Sequence, residues 1–120
     1  MKRAAAAFFV ALFALFASGG ALAGLFRAYL SVNGKDTNPC TVQQPCRLLP
    51  AALAAVNDGG EVLMLDSANY NTTTVSVAKS VTILTIPGAL GSLVAPFNAD
   101  ALQITLGAAN VTLRNLVVQI

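Results

Sequence analysis

Hydrophobic and polar positions change rhythm several times along this 120-residue chain. Residues 4–17 form an unbroken apolar run behind Met1, Lys2 and Arg3, and Ser18, Gly19 and Gly20 separate that run from Ala21-Leu22-Ala23. Residues 26–32 (FRAYLSV) mix aromatic and β-branched side chains and predict a short strand. Residues 33–39 (NGKDTNP) are all turn chemistry, with Asn-Gly able to take positive φ and Pro39 lacking a donor, so a loop follows. Residues 48–56 (LLPAALAAV) then have high helix propensity, with Pro50 tolerable only in the first turn. Leu49, Leu53 and Val56 fall on one face of that helix, and Asn57-Asp58-Gly59-Gly60 supplies glycine for a left-handed stop. So short and Ala-rich a helix needs an apolar surface to lie on.

From Glu61 onward the pattern is β. Strands are expected at residues 62–65, 72–77, 81–86, 101–106 and 111–120, separated by turns at 78–80, 87–91 and 107–110. No second helical pattern interrupts them, which disfavours a doubly wound α/β fold, because its parallel strands require helical crossovers. A faint repeat is present. Residues 74–77 (TVSV) match 103–106 (QITL) at an offset of 29, and residues 81–84 (VTIL) match 111–114 (VTLR) at an offset of 30. Strand-and-turn units recurring at this period point to a solenoid in which each turn of chain stacks on the last. An antiparallel sandwich also contains many short strands and is the competing all-β reading.

The N-terminal pattern has the three parts of a secretory signal peptide: a basic head, an apolar stretch and a small-x-small site. Cleavage is expected after Ala23, with Ala21 and Ala23 as the small residues and Gly24 as the first mature residue. The rival is a permanent anchor over residues 4–26. The Ala-rich composition, the glycines and the cleavage site favour removal, so no stable membrane span is expected afterwards and the chain is expected to be secreted or periplasmic. In such a compartment Cys40 and Cys46, the only cysteines, are expected to form a local disulfide across five residues. Two thiols without a histidine leave zinc under-ligated.

Composition matters chiefly through charge. Once Lys2 and Arg3 are removed, five basic residues (Arg27, Lys35, Arg47, Lys79, Arg114) face five acids (Asp36, Asp58, Glu61, Asp66, Asp100), so the mature chain is neutral. Nucleic-acid binding loses its electrostatic basis. The apolar fraction of 56% is inflated by the front of the chain.

Candidate chemistry is sparse. The acids after the helix, Asp58, Glu61, Asp66 and Asp100, are too scattered for a recognisable paired-carboxylate site, and Asp66 and Asp100 read as turn residues at strand ends. Asn33, Asp36 and Asn38 alternate oxygen-bearing side chains, yet their order does not fit a calcium loop; side-chain bonds to the local backbone are the expectation. Asn71-Thr72-Thr73 and Asn110-Val111-Thr112 match the glycosylation pattern, which matters only in a eukaryotic secretory route. Asn110 and Asn115 read as corner residues. Without histidine to activate it, Thr72-Thr73-Thr74 reads as an exposed strand edge.

The residues from Leu30-Ser31-Val32-Asn33-Gly34-Lys35-Asp36 to Pro39-Cys40, Pro45-Cys46-Arg47, the Ala-Leu helix, Gly59-Gly60-Glu61-Val62-Leu63-Met64-Leu65-Asp66 and Tyr70 carry a resemblance. The chain resembles the N-terminal region of secreted bacterial right-handed parallel β-helix proteins of the pectate-lyase-like superfamily. That resemblance implies an all-β solenoid whose opening strand and short α-helix cover the first coil. The expected organisation is a signal peptide at 1–23, an N-terminal strand, disulfide loop and capping helix at 24–60, and the first coils of an incomplete β-helix at 61–120. The expected role, on which the resemblance says little, is a noncatalytic structural or binding region, with extracellular polysaccharide or a surface protein as partner and with no catalytic, cofactor or metal residues. The alternative is the front of a polysaccharide lyase or hydrolase whose site lies beyond residue 120.

Overall fold

The computed structural model describes residues 24–105, 107–108 and 110–120. The expected signal peptide, with Ala21 and Ala23, lies outside the described residues; Gly24 is exposed at their start. Nine strands and one helix follow in the order β1 (Leu25–Leu30), α1 (Leu49–Ala55), β2 (Val56–Met64), β3 (Ala68–Asn69), β4 (Val75–Val77), β5 (Val81–Thr85), β6 (Gly91–Val94), β7 (Leu102–Ile104), β8 (Val111–Arg114) and β9 (Leu116–Gln119).

The strands form three sheets, ordered β1-β2-β5-β8, β3-β6-β9 and β4-β7. Each ladder among them is parallel. An antiparallel sandwich is therefore ruled out, and the fold is mostly β-strand in parallel sheets with one short helix. From β2 onward the chain visits the four-stranded, three-stranded and two-stranded sheets in turn, repeats that circuit, and then begins it again.

Alternation explains the core. From Gly60 onward in β2 and throughout β5 the burial pattern alternates, so Val62, Met64, Ile83 and Thr85 point inward while Glu61, Leu63, Thr82 and Leu84 do not. Ala28, Leu30, Val75, Val77 and Leu93 join the same interior. Thr85 is the polar member, and its hydroxyl lies 3.6 Å from the Met64 sulfur.

Helix α1 packs against β1, β2 and β4, burying Leu49, Ala52 and Leu53. Pro50 sits in its first turn, where a missing N–H costs nothing. The first donors are met from elsewhere: Asp36 Oδ1 accepts from the N–H groups of Arg47 and Leu48, both at 2.9 Å, and the Tyr70 carbonyl accepts from Leu49 N–H at 2.8 Å.

The far end of the helix corrects the sequence reading. Asn57-Asp58-Gly59-Gly60 does not terminate the helix; Val56 is already extended and begins β2, which therefore starts before Glu61. The four residues form an irregularity in the ladder, because Leu25 pairs with Val56 whereas Arg27 pairs with Glu61. Gly59 takes φ +84° there, a conformation that suits glycine. Asp58 Oδ1 accepts from Ser80 N–H, and Lys79 Nζ reaches the Val56 carbonyl, so the next corner of chain holds the irregular segment.

Two further differences concern register. The 30-residue spacing is the observed one, with Val81 paired to Val111. The 29-residue match is not: Val75 pairs with Leu102 and Val77 with Ile104. Both alignments preserve side-chain alternation, so pattern alone could not separate them. The last expected strand, 111–120, is two strands in different sheets, divided at Asn115 with φ +51°. Asparagine tolerates that left-handed conformation, and its Nδ2 donates to the Thr85 and Ile86 carbonyls at 3.0 and 3.3 Å.

Candidate functional site

Two places concentrate polar or accessible groups. The first is the junction of β1, the loop after β2, and the residues just before α1. Asp66 Oδ2 accepts from the Ser31 hydroxyl at 2.8 Å, and Oδ1 accepts from Val32 N–H at 2.7 Å and from the Tyr70 hydroxyl at 2.6 Å. Burial pushes the Asp66 pKa upward, but the hydrogen bonds from Tyr70, Val32 and Ser31, aided by the charge of Arg47, outweigh it and leave the pKa below its ordinary value. Burial raises Tyr70 well above the usual phenol range, and its bond to Asp66 adds to this. Arg47 lies over the Tyr70 ring, 5.6 Å from its centroid, and donates to the Asn69 carbonyl at 2.9 Å. Apart from the local Asp66–Tyr70 bond, these hydrogen bonds tie one chain segment to another, so this cluster is a structural latch.

The other carboxylates are engaged in the same way. Glu61 pairs with Arg27 at 2.8 Å on an exposed surface, Asp36 holds the start of α1, Asp58 holds the β4–β5 corner, and Asp100 Oδ2 meets Gln103 Nε2 at 3.4 Å. Asn38 Nδ2 donates to the Pro45 carbonyl, so Asp36 and Asn38 both bind backbone within the loop. Among the described residues no group of three or more His, Cys, Asp or Glu is placed to hold a metal ion.

The two glycosylation-type asparagines differ sharply. Asn71 is buried at 3% exposure, with Nδ2 donating to the Thr73 and Val94 carbonyls and Oδ1 accepting from Val94 N–H. Asn110 is exposed at the corner before β8, where its N–H donates to Ser80 Oγ at 3.1 Å. Thr74, from the threonine run, donates to the Asp100 carbonyl, and only Val75–Val77 of the expected strand is extended in a ladder.

The second place is the outer face of the four-stranded sheet. Register aligns Arg27, Glu61, Thr82 and Thr112 in one row across β1, β2, β5 and β8, and Tyr29, Leu63, Leu84 and Arg114 in the next. None of these residues is buried. Neighbouring strands lie about 4.8 Å apart, so each row is a straight line of side chains across the sheet. One end of the second row borders an open depression of about 470 Å³ lined by Leu84, Thr85, Pro87, Gly88, Arg114 and Asn115. Such a face offers hydroxyls, a phenol, an aliphatic strip and the exposed Arg114 guanidinium to a flat or extended ligand. The sequence alone could not pick out this face, because the rows exist only once the register is known.

Cys40 and Cys46 form a disulfide, with both residues buried. No helix among the described residues is long and apolar enough to cross a membrane. No family model, no curated protein and no solved structure matches the chain.

Proposed function

We propose that this chain is the N-terminal portion of an exported right-handed parallel β-helix protein, similar to the pectate-lyase-like superfamily, acting as a noncatalytic extracytoplasmic scaffold. The observation that carries the reading is the circuit of the chain: three parallel sheets visited in the same order, with successive visits hydrogen-bonded to one another. A right-handed winding is favoured because parallel crossovers are overwhelmingly of that hand. Helix α1 serves as the lid over the first coil, supported by the burial of Leu49, Ala52 and Leu53 against β1, β2 and β4.

The signal-like first 23 residues and the Cys40–Cys46 disulfide support export. A binding role is supported by the use of the carboxylates in structural bonds and by the two accessible rows on the four-stranded sheet. Extracellular glycan is the preferred ligand class, since Thr82, Thr112 and Arg114 supply hydrogen-bonding groups on the same sheet face as the Tyr29 ring.

Export is tested by expressing the full chain in a bacterial host, fractionating the cells, and measuring the intact mass. A periplasmic product starting at Gly24 and two hydrogens lighter than the reduced form is expected; a full-length cytoplasmic product would overturn it. Binding is tested on a glycan array with the wild type and with Arg114→Ala and Thr112→Ala. Reduced signal in both variants is expected, whereas an array with no signal removes the glycan reading. Incubation with polygalacturonate and calcium should release no unsaturated product, and any such product would overturn the noncatalytic assignment.

A further inference from the structure

Strand β1 is an end strand of its sheet, with β2 on one side only. Its other side is nevertheless occupied, by the two cysteines. Tyr29 N–H donates to the Cys40 carbonyl at 2.8 Å, Cys46 N–H donates to the Tyr29 carbonyl at 2.9 Å, and Ser31 N–H donates to the Cys46 carbonyl at 3.0 Å. Leu30 and Cys46 form a parallel bridge. The disulfide therefore joins the residues whose backbones close the outer edge of β1.

The two halves of this closure are not held equally. The Cys46 side is anchored without the disulfide: Lys35 N–H and Asn38 Nδ2 both donate to the Pro45 carbonyl, and Asp36 accepts from Arg47 and Leu48 N–H. On the Cys40 side the same Asn38 Nδ2 bond and one from Asn38 N–H to the Lys35 carbonyl fix residue 38, but from Cys40 onward the chain is held less firmly. Cys40 adopts φ +66°, which is unfavourable for a residue with a side chain, and the exposed turn beyond it is tied by one bond from Gln44 N–H to Thr41 Oγ1. Covalent attachment to the anchored Cys46 adds to the burial of Cys40 in opposing that conformational cost and the entropy of the turn.

We propose that the Cys40–Cys46 bond is an oxidation-dependent latch that closes the β1 edge at Tyr29. On oxidation, two Sγ–H bonds are lost, one Sγ–Sγ bond forms, two protons leave, and two electrons pass to an incoming disulfide, which becomes a dithiol. In the reduced chain Cys40 relaxes out of the left-handed region, its carbonyl leaves Tyr29, and the edge donor is exposed while Ser31 remains bonded to Cys46. An unpaired edge is the part of a sheet that recruits other strands. In combination with the export reading, the latch leaves the edge open before translocation and closes it afterwards; the structural part of the proposal does not depend on that reading.

The test is residue-resolved amide hydrogen exchange on the full chain, oxidised, in dithiothreitol, and as the Cys40→Ser/Cys46→Ser variant. Reduction and the double substitution should both accelerate exchange at Tyr29 by about tenfold or more, with Ser31, Leu65 and Ile86 changed by less than about threefold. Unchanged exchange at Tyr29 would overturn the latch. Equal acceleration at all four amides, including the case of a variant that does not fold, would also overturn it, because the bond would then support the whole structure and not the edge. A chain that is never exported but shows the selective effect at Tyr29 would sink the export reading and leave the latch standing.

Discussion

Asp66 and Tyr70 are joined by the shortest side-chain link in the latch near α1: the phenol oxygen lies 2.6 Å from the Asp66 carboxylate and 2.6 Å from the Asp66 carbonyl. Tyr70 is fully buried, so its hydroxyl has no access to bulk water. Its single proton serves the carboxylate, the stronger acceptor. Tyr70→Phe keeps the ring and the Arg47 contact while removing that donor. It should destabilise the chain by about 1.5 kcal/mol, since Asp66 keeps its bonds to Val32 and Ser31. Urea unfolding checks this as a lowered midpoint with an unchanged slope.

The same pair sets a pH dependence with two arms. The Asp66 pKa is lower in the folded chain than in the unfolded one, so on its account the unfolded chain binds more protons at low pH. Its contribution is complete above about pH 5 and is lost as pH falls through the ordinary carboxylate range toward the folded value. The Tyr70 pKa is raised, so its contribution is complete below the ordinary phenol value and is lost as pH climbs past it. Thermal unfolding followed from acid to alkali should show a plateau between these arms. Asp66→Asn should flatten the acid arm and Tyr70→Phe the alkaline one; an acid arm unaltered in Asp66→Asn would assign the acid sensitivity to other carboxylates.

Much of this fold was legible in the sequence because strand alternation reports directly on burial. Val75 and Val77 alternate with Ser76 as their burial does, and the 30-residue spacing of Val81 and Val111 is the true register, whereas the all-apolar run 62–65 could not say that Val62 and Met64 face inward. Parity blurred the rest. Offsets of 27 and 29 preserve the same alternation, so the Val75–Leu102 pairing was invisible to a pattern match. Strands as short as Ala68–Asn69, or opening on a glycine as Gly91–Val94 does, carry too little signal to stand out. Gly59 and Gly60 are equally plausible at a helix end and in a strand irregularity, and only the partner strand decides. The latch joins Ser31 and Val32 to Asp66 across 35 and 34 residues of chain, so no local motif announces it.

Two corner asparagines should differ in weight. Asn71 is buried and satisfies both the N–H and the carbonyl of Val94; Asn71→Ala strands those backbone groups away from water and should cost about 2–4 kcal/mol. Asn115 bonds only carbonyls, at a corner that water can reach, so Asn115→Ala should cost about 1–2 kcal/mol, combining the lost bonds with its φ of +51°. Asn115→Gly should be milder than Asn115→Ala because it relieves the backbone term. Chemical denaturation of the three variants tests the order; a costlier change at Asn115 than at Asn71 would contradict it.

The interior gives the sharpest contrast, because Ile83 and Leu113 are direct partners in one parallel ladder and point the same way from it. Ile83 is fully buried, lying between layers that contain Val62 on one side and Leu113 on the other; Leu113 is 39% exposed. Chemically similar side chains at equivalent sites thus differ only in what covers them. Ile83→Ala should cost about 2–5 kcal/mol, made up of lost transfer free energy and the cavity left behind. Leu113→Ala should cost less than about 1 kcal/mol, since much of that side chain already meets water and no enclosed cavity forms. Equilibrium unfolding of the two variants under identical conditions separates the cases. Equal losses would mean that Leu113 is covered in solution, and would point to an association of chains through the β8 layer that a measurement of mass by light scattering should then detect.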